Sequence, residues 1–93
     1  MSKTAEWTAR LYLFEEDGRT TARVVLDTGT TSLAGHGRAR CSPDDVDVPE
    51  IGDELAAGRA LTDLGGLLIQ VANRDMEGVG AARSVRTGWT DRL

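Results

Sequence analysis

The second half of the chain carries apolar or small residues at every third or fourth position, which is the spacing of one face of a helix. The series comprises Ile51, Leu55, Gly58, Leu61, Leu64, Gly65, Leu68, Ala72, Met76 and Val79. Pro49 suits the first helical position, which needs no amide hydrogen, and Gly78 and Gly80 are typical of a helix end. The pattern therefore predicts one long helix from Pro49 to Val79.

A glycine pair, Gly65-Gly66, interrupts the middle of this predicted helix. Each glycine costs about 1 kcal/mol against alanine in a helix interior. The pair is therefore either a weak point or a place where the backbone approaches a neighbouring element closely. We favour close approach, because Gly58 and Gly65 lie on the apolar stripe.

Apolar residues around Leu67 and Val71 spread too far around the helix for one sheet to cover. Large exposed apolar patches usually mark contacts, so either the C-terminal tail or a second subunit should cover them. The tail offers Trp89 as its main anchor among many arginines and glycines. We therefore predict a homodimer, with Leu67 and Val71 as candidate self-association residues.

The first half of the chain alternates apolar and polar residues with period two, as β-strands do. Three such runs cover residues 6–15, 20–27 and 32–40. The inner face of the third run is mostly small, with Gly35 and Gly37 at its centre, so a helix can lie close to it. We expect helix glycines to face these strand glycines.

Two turn signals separate the runs and determine how the strands pair. Asp17-Gly18 is typical of a type I′ turn, and Gly29-Thr30 of a type II′ turn. These turns bring apolar residues together on one sheet face, whereas a one-residue slip would separate them. The predicted pairs include Leu13 with Ala22 and Leu26 with Leu33.

These elements predict an α+β fold, in which a three-stranded antiparallel meander packs on one long C-terminal helix in the order β-β-β-α. The 93 residues make a single domain. We expect an ordered core over about 6–79 and a tail over 80–93 that can be flexible.

The opposite sheet face collects arginines beside exposed aromatic residues. The candidate binding face is Arg10, Tyr12, Arg23, His36, Arg38 and Arg40. Three interpretations stay open: a solvated face, as is common in antiparallel sheets, a protein interface, or a site for anions or nucleic acid. The predicted helix carries six acids and two arginines, so the molecule should be electrically polarised.

No residue pattern indicates catalysis, a metal or a cofactor. His36 and Cys41 lie five residues apart without an identifiable acid to complete a triad. The single cysteine excludes an internal disulfide. Acidic residues between 44 and 54 lack the spacing of a calcium loop. We therefore predict that the protein is not an enzyme and has no cofactor.

Net charge and hydropathy indicate which partners and which cellular location to expect. A net charge of −4 weakens the case for non-specific nucleic-acid binding, which depends on basic phosphate contacts. No apolar run approaches the roughly 20 residues of a membrane span. The start MSKTAEWT has no apolar signal core, so we predict a cytoplasmic protein without membrane contact.

The run VPEIGDELAAGRALTDL at 48–64, which follows a meander opening with Trp7, resembles a small actinobacterial family of unknown function. The resemblance covers roughly residues 6–79 and implies a fold like the double-stranded-RNA-binding domain, with no established activity. True domains of that kind carry a helix before the sheet and lysines at the start of the last helix. Here no helix is predicted before Trp7, and the helix start carries Glu50, Asp53 and Glu54. Double-stranded RNA binding is therefore expected to be weak or absent.

The functional prediction is a non-enzymatic small interaction protein of unknown biological role that self-associates. The alternative is anion or nucleic-acid binding through the arginine-rich sheet face.

Overall fold

A computed structural model describes residues 2–83 of the chain and the side chains of residues 2–79. It contains strands β1 (Thr8–Glu16), β2 (Arg19–Asp27) and β3 (Ser32–Arg40), followed by one helix, α1 (Pro49–Arg83). The strands form one antiparallel sheet in the order β1-β2-β3. The predicted β-β-β-α meander is confirmed.

Each turn has a positive φ angle at the glycine that its sequence places there. Asp17 and Gly18 have φ angles of 48° and 72°, and a type I′ turn needs positive values at both central residues. Gly29 has a φ of 91°, at the first central position of the second turn. The resulting register confirms the predicted pairs: Leu13 faces Ala22, and Leu26 faces Leu33.

The helix packs on β2 and β3, and the core between them is thin. Its buried members are Ala22, Val24, Leu26, Ala39, Ala56, Ala60 and Leu64, with Leu33 and Leu68 packed against them. Most of these side chains are small, and Val24 is the largest that is fully buried. A core of alanines brings the helix backbone unusually close to the sheet.

The closest approach lies at the two central glycines of β3. A Cβ atom built on Gly35 would lie 2.5 Å from the Ala60 carbonyl oxygen and 2.7 Å from the Leu64 nitrogen. A Cβ atom on Gly37 would overlap the Ala56 carbonyl oxygen and the Ala60 nitrogen. Glycine is needed at both positions because the obstructing atoms are helix backbone.

The expectation about the helix glycines is wrong. A Cβ atom built on Gly58, Gly65 or Gly66 would meet no atom beyond the adjacent helix backbone within 4 Å, so none of them is a place of close approach. The strand glycines face alanine and leucine positions of α1 instead. The helical turns that face β3 are those of Ala56, Ala60 and Leu64, and Gly58 lies about 160° away from Ala60 around the helix axis.

The helix also runs past its predicted end at Val79 and continues to Arg83. Gly78 is not a terminator here, because its φ is not positive as a left-handed cap requires. A helix of 35 residues is about 52 Å long, whereas a strand of nine residues spans only about 30 Å. The last turns of α1 therefore extend beyond the sheet. The predicted tail, with Trp89, lies outside the described residues.

Strand β1 is left uncovered, although its apolar residues lie on the same sheet face as the core. Every residue of β1 is exposed, and Leu11 and Leu13 keep 43% of their surface in contact with solvent. In double-stranded-RNA-binding domains a first helix precedes the sheet, but residues 2–7 form no helix here. The structure therefore does not confirm the fold like that domain that the family resemblance implies. No helix within residues 2–83 is long and apolar enough to cross a membrane.

Candidate functional site

The outer face of the sheet carries the predicted binding residues in cross-strand rows. Tyr12, Arg23 and His36 form one row across the three strands, as predicted. Phe14, Thr21 and Arg38 form the next. Arg10, Arg40 and the residues of these rows are all exposed, so the structure brings the whole predicted set onto one surface.

Sequence reasoning missed a further arginine on this face. Arg19 belongs to β2 and pairs with Glu16 on one side and with Arg40 on the other. The predicted strand begins one residue later, at Thr20, and therefore leaves Arg19 out. The type I′ signal at Asp17-Gly18 was sufficient to find it, because a two-residue turn places the next residue in the strand.

The arginine face consists of Arg10, Arg19, Arg23, Arg38 and Arg40, with Tyr12 and Phe14 between them. The two aromatic side chains are 52% and 64% exposed, so their rings are available for contact. Two acids, Glu16 and Asp27, share the face at its two ends. The opposite side of the molecule is acidic, because α1 carries six acids and two arginines between residues 49 and 79. The predicted polarisation therefore follows from the observed register.

A second feature is an acidic pair between β1 and the start of α1. A hydrogen bond with the Asp53 carboxyl, and its like charge, raise the pKa of the Glu15 carboxyl above its ordinary value. The Asp53 Oδ1 atom is buried without a hydrogen-bond partner among the described residues. The pair lies beside the buried Thr20, which packs against Gly52 of the first helical turn.

His36 and Cys41 are not brought together. His36 lies mid-strand on the arginine face, whereas the Cys41 Sγ atom lies 3.4 Å from the Ser42 carbonyl oxygen in the loop that leads to α1. Cys41 borders an open cleft of about 450 Å³ between the first hairpin turn, this loop and the helix start. Within the described residues, no group of three or more His, Cys, Asp or Glu side chains is placed to hold a metal ion.

The candidate self-association residues Leu67 and Val71 are both half-buried. Each lies within about 20° of the Ala60 direction around the helix axis, so they face the sheet side near the end of the sheet. More exposed apolar residues lie elsewhere on the molecule: Leu11, Leu13, Leu61 and Ile69 are 43%, 43%, 51% and 51% exposed. The surplus apolar surface is therefore wider than the sequence indicated.

The comparisons with known proteins place this chain in a family. The chain belongs to the Rv2632c-like family, whose model matches residues 5–85. The crystal structure of Rv2632c superimposes with a TM-score of 0.73 at 37% identity, covering 84% of this chain and 90% of that one. The predicted family of unknown function is thereby confirmed.

Sequence relatives come from mycobacteria. The uncharacterized protein Mb1767 of Mycobacterium bovis is 44% identical over 73 residues, which is 78% of each chain. The uncharacterized protein Rv2632c of Mycobacterium tuberculosis is 43% identical over 63 residues, which is 68% of each chain. Neither description names a reaction, so function must be argued from the surface of the molecule.

Proposed function

We propose that this protein is a non-enzymatic interaction protein that works as a homodimer. The proposal rests on the large share of its apolar side chains that stay exposed to solvent. Seven buried apolar residues form the core, whereas twelve large hydrophobic residues are exposed in the described part of the chain. Exposed apolar surface on this scale is typical of proteins that bind a partner.

A second copy of the same chain is the simplest such partner, because twofold dimers are the commonest oligomers. The test is the molar mass in solution, measured by light scattering or sedimentation over about 1–500 μM. The expected result is a concentration-dependent rise toward twice the 10.0 kDa mass of one chain. A mass that stays at one chain throughout this range would refute self-association.

Leu67 and Val71 stay predicted contacts within this proposal. Because both are half-buried on the sheet side of α1, replacing them with Glu tests the fold together with the interface. Substitutions at the more exposed residues separate the two effects better. The predicted cytoplasmic location also stays a prediction.

The arginine face supports an alternative function, which is binding of an anion or a single-stranded nucleic acid. The supporting observation is the contiguous arrangement of five arginines with two exposed aromatic rings on one sheet surface. Aromatic rings stack on bases, and one guanidinium group can bind a phosphate through two parallel hydrogen bonds. The acidic helix start argues against the usual mode of double-stranded RNA binding.

Binding of fluorescent single-stranded and double-stranded oligonucleotides, measured at several salt concentrations, tests this alternative. We expect double-stranded RNA to bind weakly or not at all. If the arginine face binds single strands, then Arg23→Ala and Arg38→Ala should each weaken binding and reduce its salt dependence. Arg74→Ala, on the end of α1, is the matched control. Sub-micromolar binding of double-stranded RNA at physiological salt would contradict our expectation.

A further inference from the structure

The two edge strands of the sheet, β1 and β3, differ in whether helix side chains bond their outer backbone groups. On β3, the edge backbone is occupied by helix side chains: the His36 N–H donates to Asp63 Oδ2 at 2.8 Å, and the Arg38 carbonyl accepts from Arg59 Nη1 at 2.6 Å. These contacts block another strand from pairing there. Proteins commonly protect a sheet edge with charged side chains in this way.

The edge of β1 has no such protection within the described residues. Glu16 and Arg19 flank a two-residue turn and therefore exchange backbone hydrogen bonds. Because hydrogen-bonded pairs alternate along a hairpin, the peptide groups of the odd-numbered residues point away from β2. These residues, Ala9, Leu11, Leu13 and Glu15, offer their N–H and C=O groups to a further strand.

Both faces of this open strand are apolar or aromatic. Leu11 and Leu13 lie on the helix side and Tyr12 and Phe14 on the arginine side, and all four are between 43% and 64% exposed. Leu61 borders the same area, because it lies about 160° around α1 from Asp63, which contacts β3. A strand with an unpaired edge and apolar side chains on both faces is a template for pairing with another chain.

On the arginine side, the residues of β1 are complementary to themselves when the strand is read in the opposite direction. If Leu13 pairs with Leu13 of a second copy, Arg10 faces the Glu16 of that copy, and Tyr12 faces its Phe14. Both pairs occur twice by symmetry. A register centred on Tyr12 would place Arg10 opposite Phe14, and one centred on Leu11 would place Arg10 opposite Tyr12, so neither pairs the arginine with an acid.

We propose that β1 pairs antiparallel with β1 of a second copy, centred on Leu13, and so forms a continuous six-stranded sheet. The inference rests on the proposed homodimer and specifies its interface. Leu13 has outward-pointing peptide groups, so the central pair is hydrogen-bonded, and the flanking Arg10–Glu16 and Tyr12–Phe14 pairs are the closer, non-hydrogen-bonded kind. Both helices lie on the same face of the joined sheet, and the two arginine faces become one surface.

Charge reversal tests the register with a built-in rescue. Arg10→Glu gives each copy two acids at these positions, and Glu16→Arg gives each copy two arginines. Alone, each variant places like charges opposite each other twice, which should raise the dimer dissociation constant by about fivefold or more. Mixed in equal amounts, the two variants restore both ion pairs and should form a one-to-one heterodimer.

A matched control separates the specific pair from a change in net charge. Glu77→Arg changes the net charge as Glu16→Arg does, but lies near the far end of α1. Glu77→Arg keeps both interface charges and should dimerise with itself, so in a mixture it should not recruit Arg10→Glu into a one-to-one heterodimer. Equal rescue by both partners would overturn the proposed register. Circular dichroism establishes that each variant is folded before its mass is measured.

Lysine substitution tests the edge itself. Leu13→Lys places a charge in the centre of the proposed interface, whereas Ile69→Lys alters a residue of similar exposure that points away from the sheet. We expect Leu13→Lys to give a folded monomer and Ile69→Lys to remain dimeric. The reverse result would refute edge pairing and retain self-association. A natural chain that is monomeric at every concentration would refute the homodimer and the interface together.

Discussion

The close approach of α1 to β3 makes the substitution Gly35→Ala a sharp test of the structure. A Cβ atom at this position would lie 2.5 Å from the Ala60 carbonyl oxygen, whereas ordinary contacts lie between 3.4 and 4 Å. Helix and strand would have to separate by roughly 0.9 Å to accept it. No side-chain rotation can relieve the overlap, since the obstructing oxygen and the Leu64 nitrogen are backbone atoms.

The loss of unfolding free energy in Gly35→Ala can be estimated from the overpacking at the new methyl group and from the gap that opens around it. Overpacked cores lose about 1–3 kcal/mol, and a gap near 1 Å forfeits a quarter to a half of each dispersion contact around it. Alanine also lowers the conformational entropy of the unfolded chain, which stabilises the folded state by about 0.4–1 kcal/mol. Gly35 lies outside the positive-φ region, so backbone strain adds nothing. A net loss of about 2 kcal/mol is expected.

Thermal unfolding followed by circular dichroism measures this loss as a fall in Tm of about 8–16 °C. Protein concentration must be equal for all variants, since dimerisation makes Tm depend on it. Gly66→Ala is the matched control: a Cβ atom there meets nothing within 4 Å, so helix propensity should raise stability by about 1 kcal/mol. If Gly35→Ala unfolds at the natural Tm, α1 does not lie this close to β3.

Two further predictions concern the end of β1 and the β3 edge of the sheet. The pKa of Glu15 is raised, so the folded chain holds that proton to higher pH than the unfolded chain, and stability should fall as pH rises through the range just above 4.5. Glu15→Gln should flatten this fall in a series of Tm measurements, whereas Glu16→Gln should leave it in place. Asp63→Ala removes the acceptor of the His36 N–H and should cost about 1 kcal/mol in urea unfolding, with Asp75→Ala as control. An unchanged midpoint would show that this bond does not stabilise the β3 edge.

Strand pairing could be predicted from the sequence because local chemistry determines it. A two-residue turn with positive φ at Asp17 and Gly18 permits one register, and apolar alternation then assigns every residue to a face. The positions of Tyr12, Arg23 and His36 followed directly from that register. The candidate binding face was therefore predictable almost to the residue, apart from Arg19.

The position of the helix over the sheet could not be predicted in the same way. An apolar stripe shows that a helix packs on a sheet, but it does not show which strands lie beneath it. Small residues on β3 and the contacts of Arg59 and Asp63 with that strand hold α1 to one side. Helix periodicity alone therefore misassigned Gly58 to the buried face and gave no sign that β1 is uncovered.

The off-centre helix links the stability of the fold to its proposed assembly. Close contact at Gly35 and Gly37 requires α1 to lie over β3, and from there its side chains reach the β3 edge and occupy its backbone groups. A helix about 10 Å wide that is displaced toward one edge cannot also cover the opposite edge of a three-stranded sheet. The same glycines that allow tight packing therefore leave Leu11 and Leu13 exposed. A partner strand at β1 would supply the cover that a larger core or a second helix supplies in other two-layer folds.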